Sequence, residues 1–122
     1  MSNFLKAARQ EIRMELATLG EGQVYEFVPP KPVPPCFIIS PGSPYVAQGQ
    51  AFTDFTTNFE VVILAGSATN ETETDKLDEL ITNAIDALET WFIDEVETPT
   101  TFDINNNLFL GAKLRITADK TL

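Results

Sequence analysis

Two amphipathic stretches of helical period, set among stretches that alternate apolar and polar residues, point to an α+β fold. The expected form is a mixed, mostly antiparallel sheet of about four to five strands with two helices packed on one face. The helical period appears in residues 3–19 and again from about residue 71, and the period of two appears in 55–65 and 108–119. With 122 residues, 43% of them hydrophobic and 21% charged, the chain has the length of a single domain, 1–122, and apolar groups enough for one core.

The elements follow in order. Leu5, Ala8, Ile12, Leu16 and Leu19 form one stripe at three- and four-residue steps, with Lys6, Arg9, Glu11, Arg13 and Glu15 largely off it. Ser2 is the expected N-cap and Gly20 the expected stop. Val24-Tyr25-Glu26-Phe27-Val28 suits a short strand, ended by Pro29-Pro30-Lys31-Pro32-Val33-Pro34-Pro35, whose rings hold an extended path with few backbone donors. Cys36-Phe37-Ile38-Ile39-Ser40 is apolar on both sides of the pleat, as a strand covered on both faces should be. The turn residues of 41–50 predict a long loop.

In 55–65, Phe55, Thr57, Phe59, Val61 and Ile63 share one face, while Thr56, Asn58, Glu60, Val62 and Leu64 share the other. Leu77, Leu80, Ile81, Ala84, Ile85, Leu88, Trp91 and Phe92 then repeat at helical spacing. Asn70 with Glu73 makes a capping box that starts this helix at about Glu71, and Pro99 lies beyond its end. Alternation returns in 108–119, and 100–104 is an optional extra strand.

Charge and composition exclude much. The formal charge of −10 works against phosphate backbones and anionic lipid. With no histidine, the usual general base, the commonest metal ligand and any Ser–His or Cys–His pair are missing. The single Cys36 cannot form an internal disulfide, which fits a reducing compartment, and its apolar neighbours mark it as a core residue. No apolar run approaches the roughly 18 residues of a membrane span, and the N-terminus lacks a secretory apolar core. The chain therefore reads as soluble and intracellular, with neither cofactor nor catalytic residue expected.

The acidic residues of 71–103 lack the glycine turn and convergent spacing of a calcium loop. Their spacing sets Asp75, Glu79, Asp86 and Glu89 along the outer side of the second helix, a solvated negative surface. The PxxP spacing in 29–35 suits a stiff connector better than a groove-binding ligand. If the helices cover the face bearing Phe55, Phe59, Leu110 and Leu114, then Val62, Leu64 and Phe109 point away from them. These three form an exposed partner patch unless a loop folds over them. Tyr45, Gln48, Gln50 and Phe52, in or beside the tip between two strands, are further candidates for contact with a neighbour.

Val24-Tyr25-Glu26-Phe27, the proline run into Pro35-Cys36-Phe37-Ile38-Ile39, and Pro41-Gly42-Ser43-Pro44-Tyr45 together resemble the front half of tail terminator proteins of long-tailed phages, most of all those of actinobacterial phages. Ala68-Thr69-Asn70-Glu71 and Asp75-Lys76-Leu77-Asp78-Glu79-Leu80-Ile81 look like the start of that family's second helix. The resemblance implies a virion protein, assembled in the host cytoplasm, that caps the tail tube as a ring, usually a hexamer. It implies a sheet flanked by two helices, and as partners further copies of itself, the tail tube protein and a head-side stopper or connector. It carries no catalytic residues. DNA would pass through without specific binding, and Asp75, Glu79, Asp86 and Glu89 are the candidate acids facing that channel. A head-completion or stopper protein of the same neck, and an acidic DNA-mimicking binding module, are the alternatives.

Overall fold

In the computed structural model, residues 3–49, 52–67 and 70–121 are described. They form α1 (Phe4–Ala17), β1 (Gln23–Tyr25), β2 (Cys36–Gln48), β3 (Asp54–Gly66), α2 (Glu71–Ala87), β4 (Phe92–Val96), β5 (Thr100–Ile104) and β6 (Asn107–Thr121). The sheet runs β1-β2-β3-β6-β4, with β5 also paired to β6, and only the β1–β2 pair is parallel. The α+β expectation with two helices is met, although the sheet has six strands rather than four or five.

The cap of α1 is one residue later than expected: Asn3 Oδ1 accepts from the Lys6 backbone N–H at 3.0 Å, and Ser2 lies outside the described residues. α1 ends at Ala17, and Gly20, at φ +63°, takes the left-handed turn that leads the chain away. Asn70 caps α2 as anticipated, its Oδ1 accepting from the Glu73 backbone N–H at 2.9 Å.

Three boundaries differ from the expectation. β1 is only three residues long, because the chain leaves the sheet before Glu26 to form the proline strap. The expected loop over 41–50 is mostly strand: β2 continues to Gln48 through an irregularity between Pro41 and Val46. An irregular ladder is where proline is tolerated in a sheet, since a missing N–H costs nothing there. Side chains from β3 hold the kink. Asn58 Nδ2 donates to the Pro44 carbonyl at 2.7 Å and Thr57 Oγ1 to the Tyr45 carbonyl at 3.1 Å. A Cβ on Gly42 would lie 2.8 Å from the Asn58 backbone, so only glycine permits this approach. β1 pairs only with Cys36, Phe37 and Ile38, so the rest of β2, which carries Pro41 and Pro44, is an outer edge.

The third difference concerns Trp91 and Phe92, expected on the second helix. α2 stops at Ala87, the Trp91 N–H bonds the Leu88 carbonyl at 3.1 Å, and Phe92 opens β4. The tight turn keeps Leu88 and Trp91 three residues apart on the core side, so the apolar period runs on after the helix has ended. β4 and β5 then lie end to end along one edge of β6, and a two-residue turn joins β5 to β6. Its residues, Asn105 (φ 53°) and Asn106 (φ 68°), are the type that accepts two consecutive positive φ angles.

The main core lies between the helices and one sheet face. Ile12 and Leu16 from α1 and Leu77, Leu80 and Ala84 from α2 cover Phe37, Phe59, Val61, Ile63, Leu114 and Ile116. Phe59 is central. Tyr45 meets it edge-on at 5.5 Å and Trp91 at 5.8 Å.

Candidate interaction surfaces

The second face of the sheet is where an exposed apolar patch was expected, and there the structure corrects the reading. Leu64 (0% exposed) and Phe109 (7%) are buried, and Val62 is half-buried. With Cys36 and Ile38 they form a second small core, closed by Tyr25 from β1 and by Phe102 and Ile104 from β5. The cover comes from the β5–β6 hairpin as much as from any loop. Asn105 Nδ2, in its turn, donates to the Pro30 carbonyl at 3.2 Å and ties the hairpin to the proline strap. Leu64 and Phe109 thus offer nothing to a partner. Cys36 is fully buried in the same cluster, and burial pushes its thiol up to about 12, so it stays protonated and unreactive at neutral pH.

Tyr45 is also taken up internally. Its ring packs on Phe59, and its hydroxyl accepts from Arg9 Nη2 at 2.7 Å. The hairpin tip beyond it is different. Gln48 is exposed and donates from Nε2 to the Asp54 carbonyl at 3.2 Å, while Phe52 is 97% exposed. Gln50 lies outside the described residues. Of the expected contact residues, Phe52 and Gln48 are the ones presented to solvent.

Asp75, Glu79 and Asp86 are exposed along α2, as their spacing requires. Glu89 is exposed too, but α2 ends at Ala87, so it sits in the turn beyond the helix rather than on the helix stripe where it was expected. The far half of the second sheet face is polar and internally paired: Lys113 lies 3.7 Å from Glu60, and Arg115 bonds Glu95 at 3.1 Å. Arg115 Nη2 also stands 3.0 Å from Glu97 Oε2, close enough for an ion pair but not aligned as a hydrogen bond.

Two concave sites formed by described residues are modest. A polar cleft of about 300 Å³ at the base of the hairpin is lined by Gln48, Gly49, Asp54, Thr56 and Asp119. Thr56 Oγ1 donates to Asp119 Oδ1 across it at 3.0 Å. A second depression, beside Gly42, Asn58 and Arg115, holds only about 40 Å³. Among the described residues no three metal-ligating side chains converge, and no helix is long and apolar enough to cross a membrane.

One acidic cluster lies where α1 faces the α2–β4 turn. Thr90 Oγ1 sits 3.3 Å from Glu11 Oε1 and 3.0 Å from Glu15 Oε1, and its single proton can serve only one of them at a time. Lys120 Nζ binds Glu11 at 3.0 Å and stands 5.0 Å from the Trp91 ring centre. Glu15 Oε2 is buried with no hydrogen-bond partner. Burial, with Glu11 and Glu89 nearby, raises the Glu15 carboxyl above its ordinary range against the opposing pull of Thr90 and Lys120. A raised carboxyl favours the folded state only when protonated, so its contribution is present at acidic pH and is lost as pH rises through the folded value. Glu15→Gln should therefore unfold at higher temperature than the parent at pH 7, with the gap closing towards about pH 4. Paired thermal melts across that range check it; a gap that widens on acidification would refute the assignment.

Exposed apolar residues in the strap had no counterpart among the expected sites. Phe27 (72%), Val28 (61%) and Val33 (63%) stand out of the fold. For Val33 the signal was present in the sequence, since Pro32 and Pro34 on either side keep it out of a ladder. Phe27 and Val28 fall in the expected strand, but the chain leaves the sheet before them. Compared with known protein-family models and with curated proteins, the chain matches none.

Proposed function

We propose that the chain is a structural virion protein, a tail terminator that caps the phage tail tube as a ring of identical copies, six-membered as the resemblance implies, and joins it to the head-side neck. The observation that carries this reading is the long β2–β3 hairpin, whose tip exposes Phe52 almost completely while Tyr45 and Phe59 anchor its base. An aromatic side chain held in water on a braced arm suits contact with another protein. The two-helix, one-sheet architecture agrees with the fold that the resemblance implies. In this reading the α2 acids Asp75, Glu79 and Asp86 turn towards the channel, where negative charge keeps DNA from binding as it slides.

The test is assembly. The purified chain should form closed rings of one size, alone at high concentration or on ends of tube built from the neighbouring tail-tube gene, as read by light scattering and negative-stain images. Particles carrying Asp75→Lys and Asp86→Lys should assemble yet eject DNA more slowly. A chain that stays monomeric in every condition and binds a basic host enzyme in a salt-sensitive way would replace this reading with DNA mimicry.

A further inference from the structure

The two lateral edges of the helical layer differ in charge and in apolar exposure. α1 lies over the β1–β2 side of the sheet and α2 over β3 and β6, so each helix has one flank turned inward and one outward. On α1, Lys6, Arg9 and Arg13 recur at three- and four-residue steps and share a flank. That flank meets the strap: the Arg9 guanidinium stands 5.5 Å from the Phe27 ring centre, and Arg13 Nε lies 3.1 Å from Glu26. Glu11 and Glu15 occupy the other flank, towards Thr90 and Lys120. On α2, Lys76 pairs with Glu21, just after α1, which marks the inward flank. Glu71, Asp78 and Ile85 recur every two turns on the opposite flank, and all three are exposed.

The strap edge is therefore cationic and apolar, with Phe27 and Val28 exposed, and the α2 edge is acidic with one apolar residue, Ile85. Five cations are answered within the chain: Arg13 by Glu26 in the strap itself, Lys76 by Glu21, Lys113 by Glu60, Arg115 by Glu95 and Lys120 by Glu11. Lys6 is exposed and holds no ion pair among the described residues. In a chain of net charge −10, the strap edge is thus where the acids of another copy can find a counter-charge.

We propose that the α1–strap edge of one copy docks on the outward flank of α2 in the next, Lys6 and Arg13 facing Glu71 and Asp78 while Phe27 and Val28 cover Ile85. Two different surfaces of one chain then meet head to tail, the contact type that generates a ring when the rotation closes. The inference rests on the ring reading above and adds the seam to it. Asp75, Glu79 and Asp86 lie on the adjoining stripe of α2 and stay clear of the seam.

Charge exchange tests the pairing. Lys6→Glu with Arg13→Glu, and separately Glu71→Lys with Asp78→Lys, should each raise the concentration needed for assembly by about tenfold or more. Both pairs combined in one chain, or the two variants mixed, should restore assembly, because every seam again joins opposite charges. A variant that had merely lost its fold would not be rescued by mixing. Wild-type rings that both reversals leave intact, or reversals that neither combination nor mixing rescues, would overturn the seam while leaving the capping function standing. A wild-type chain that never assembles, alone or on tube ends, would overturn the function itself and the seam with it.

Discussion

Phe59→Ala is expected to remove about 3–5 kcal/mol of folding stability and to lower Tm by on the order of 10 °C or more. The side chain is fully buried at the centre of the larger core. Tyr45 and Trp91 pack edge-on against it from either side, and the Arg9 guanidinium stands 5.9 Å from its ring centre. Its loss leaves a cavity bounded by β2, α1 and the α2–β4 turn, elements that cannot all collapse into it together. Because Tyr45 also braces the kink in β2, the loss should loosen the hairpin that carries Phe52. Thermal melts give the first effect, and hydrogen exchange at the β2 amides gives the second. A change below about 1 kcal/mol would mean that Phe59 is not the packing centre.

Leu64→Ala is expected to cost about 2–5 kcal/mol of the stability of the single chain while leaving assembly, measured below its melting temperature, unchanged. Leu64 is fully buried against Cys36, Ile38 and Phe109, beneath side chains of β1 and β5. Phe109→Ala should behave alike, since Phe102 and Ile104 close over the same cluster. The alternative is specific: unchanged melting combined with lost assembly would return both residues to a partner surface. Chemical denaturation beside light scattering on the same samples separates the two outcomes.

Much of the architecture was legible because alternation and helical period are local signals. Phe55, Phe59, Val61 and Ile63 alternate onto the helix-covered face, and Asn70 with Glu73 announces the start of α2. The missing parts depended on tertiary context. Pro41 and Pro44 read as loop, but the bonds from Asn58 and Thr57 let β2 carry them as a kinked strand. Trp91 and Phe92 kept the helical period through a turn that has neither glycine nor proline to mark it. That Leu64 and Phe109 point away from the helices followed from alternation. What covers them did not, because the cover comes from strands distant in sequence, β1 and β5. Phe52 and the exposed acids of α2 were legible for the opposite reason, since nothing in the fold competes for them.

The prolines in β2 also bear on how such a chain tolerates crowding. An open rim of sheet invites a second molecule to add its own strand, and each addition leaves a fresh rim for the next, the start of a fibre rather than a closed particle. Beyond β1, the outer rim of β2 carries Pro41 and Pro44, neither of which has an N–H to offer an incoming strand, and the strand is kinked there where its ladder to β3 is irregular between Pro41 and Val46. That side of the molecule is poorly suited to templating growth, so copies at high local concentration are steered towards contacts made by side chains, whose number is finite.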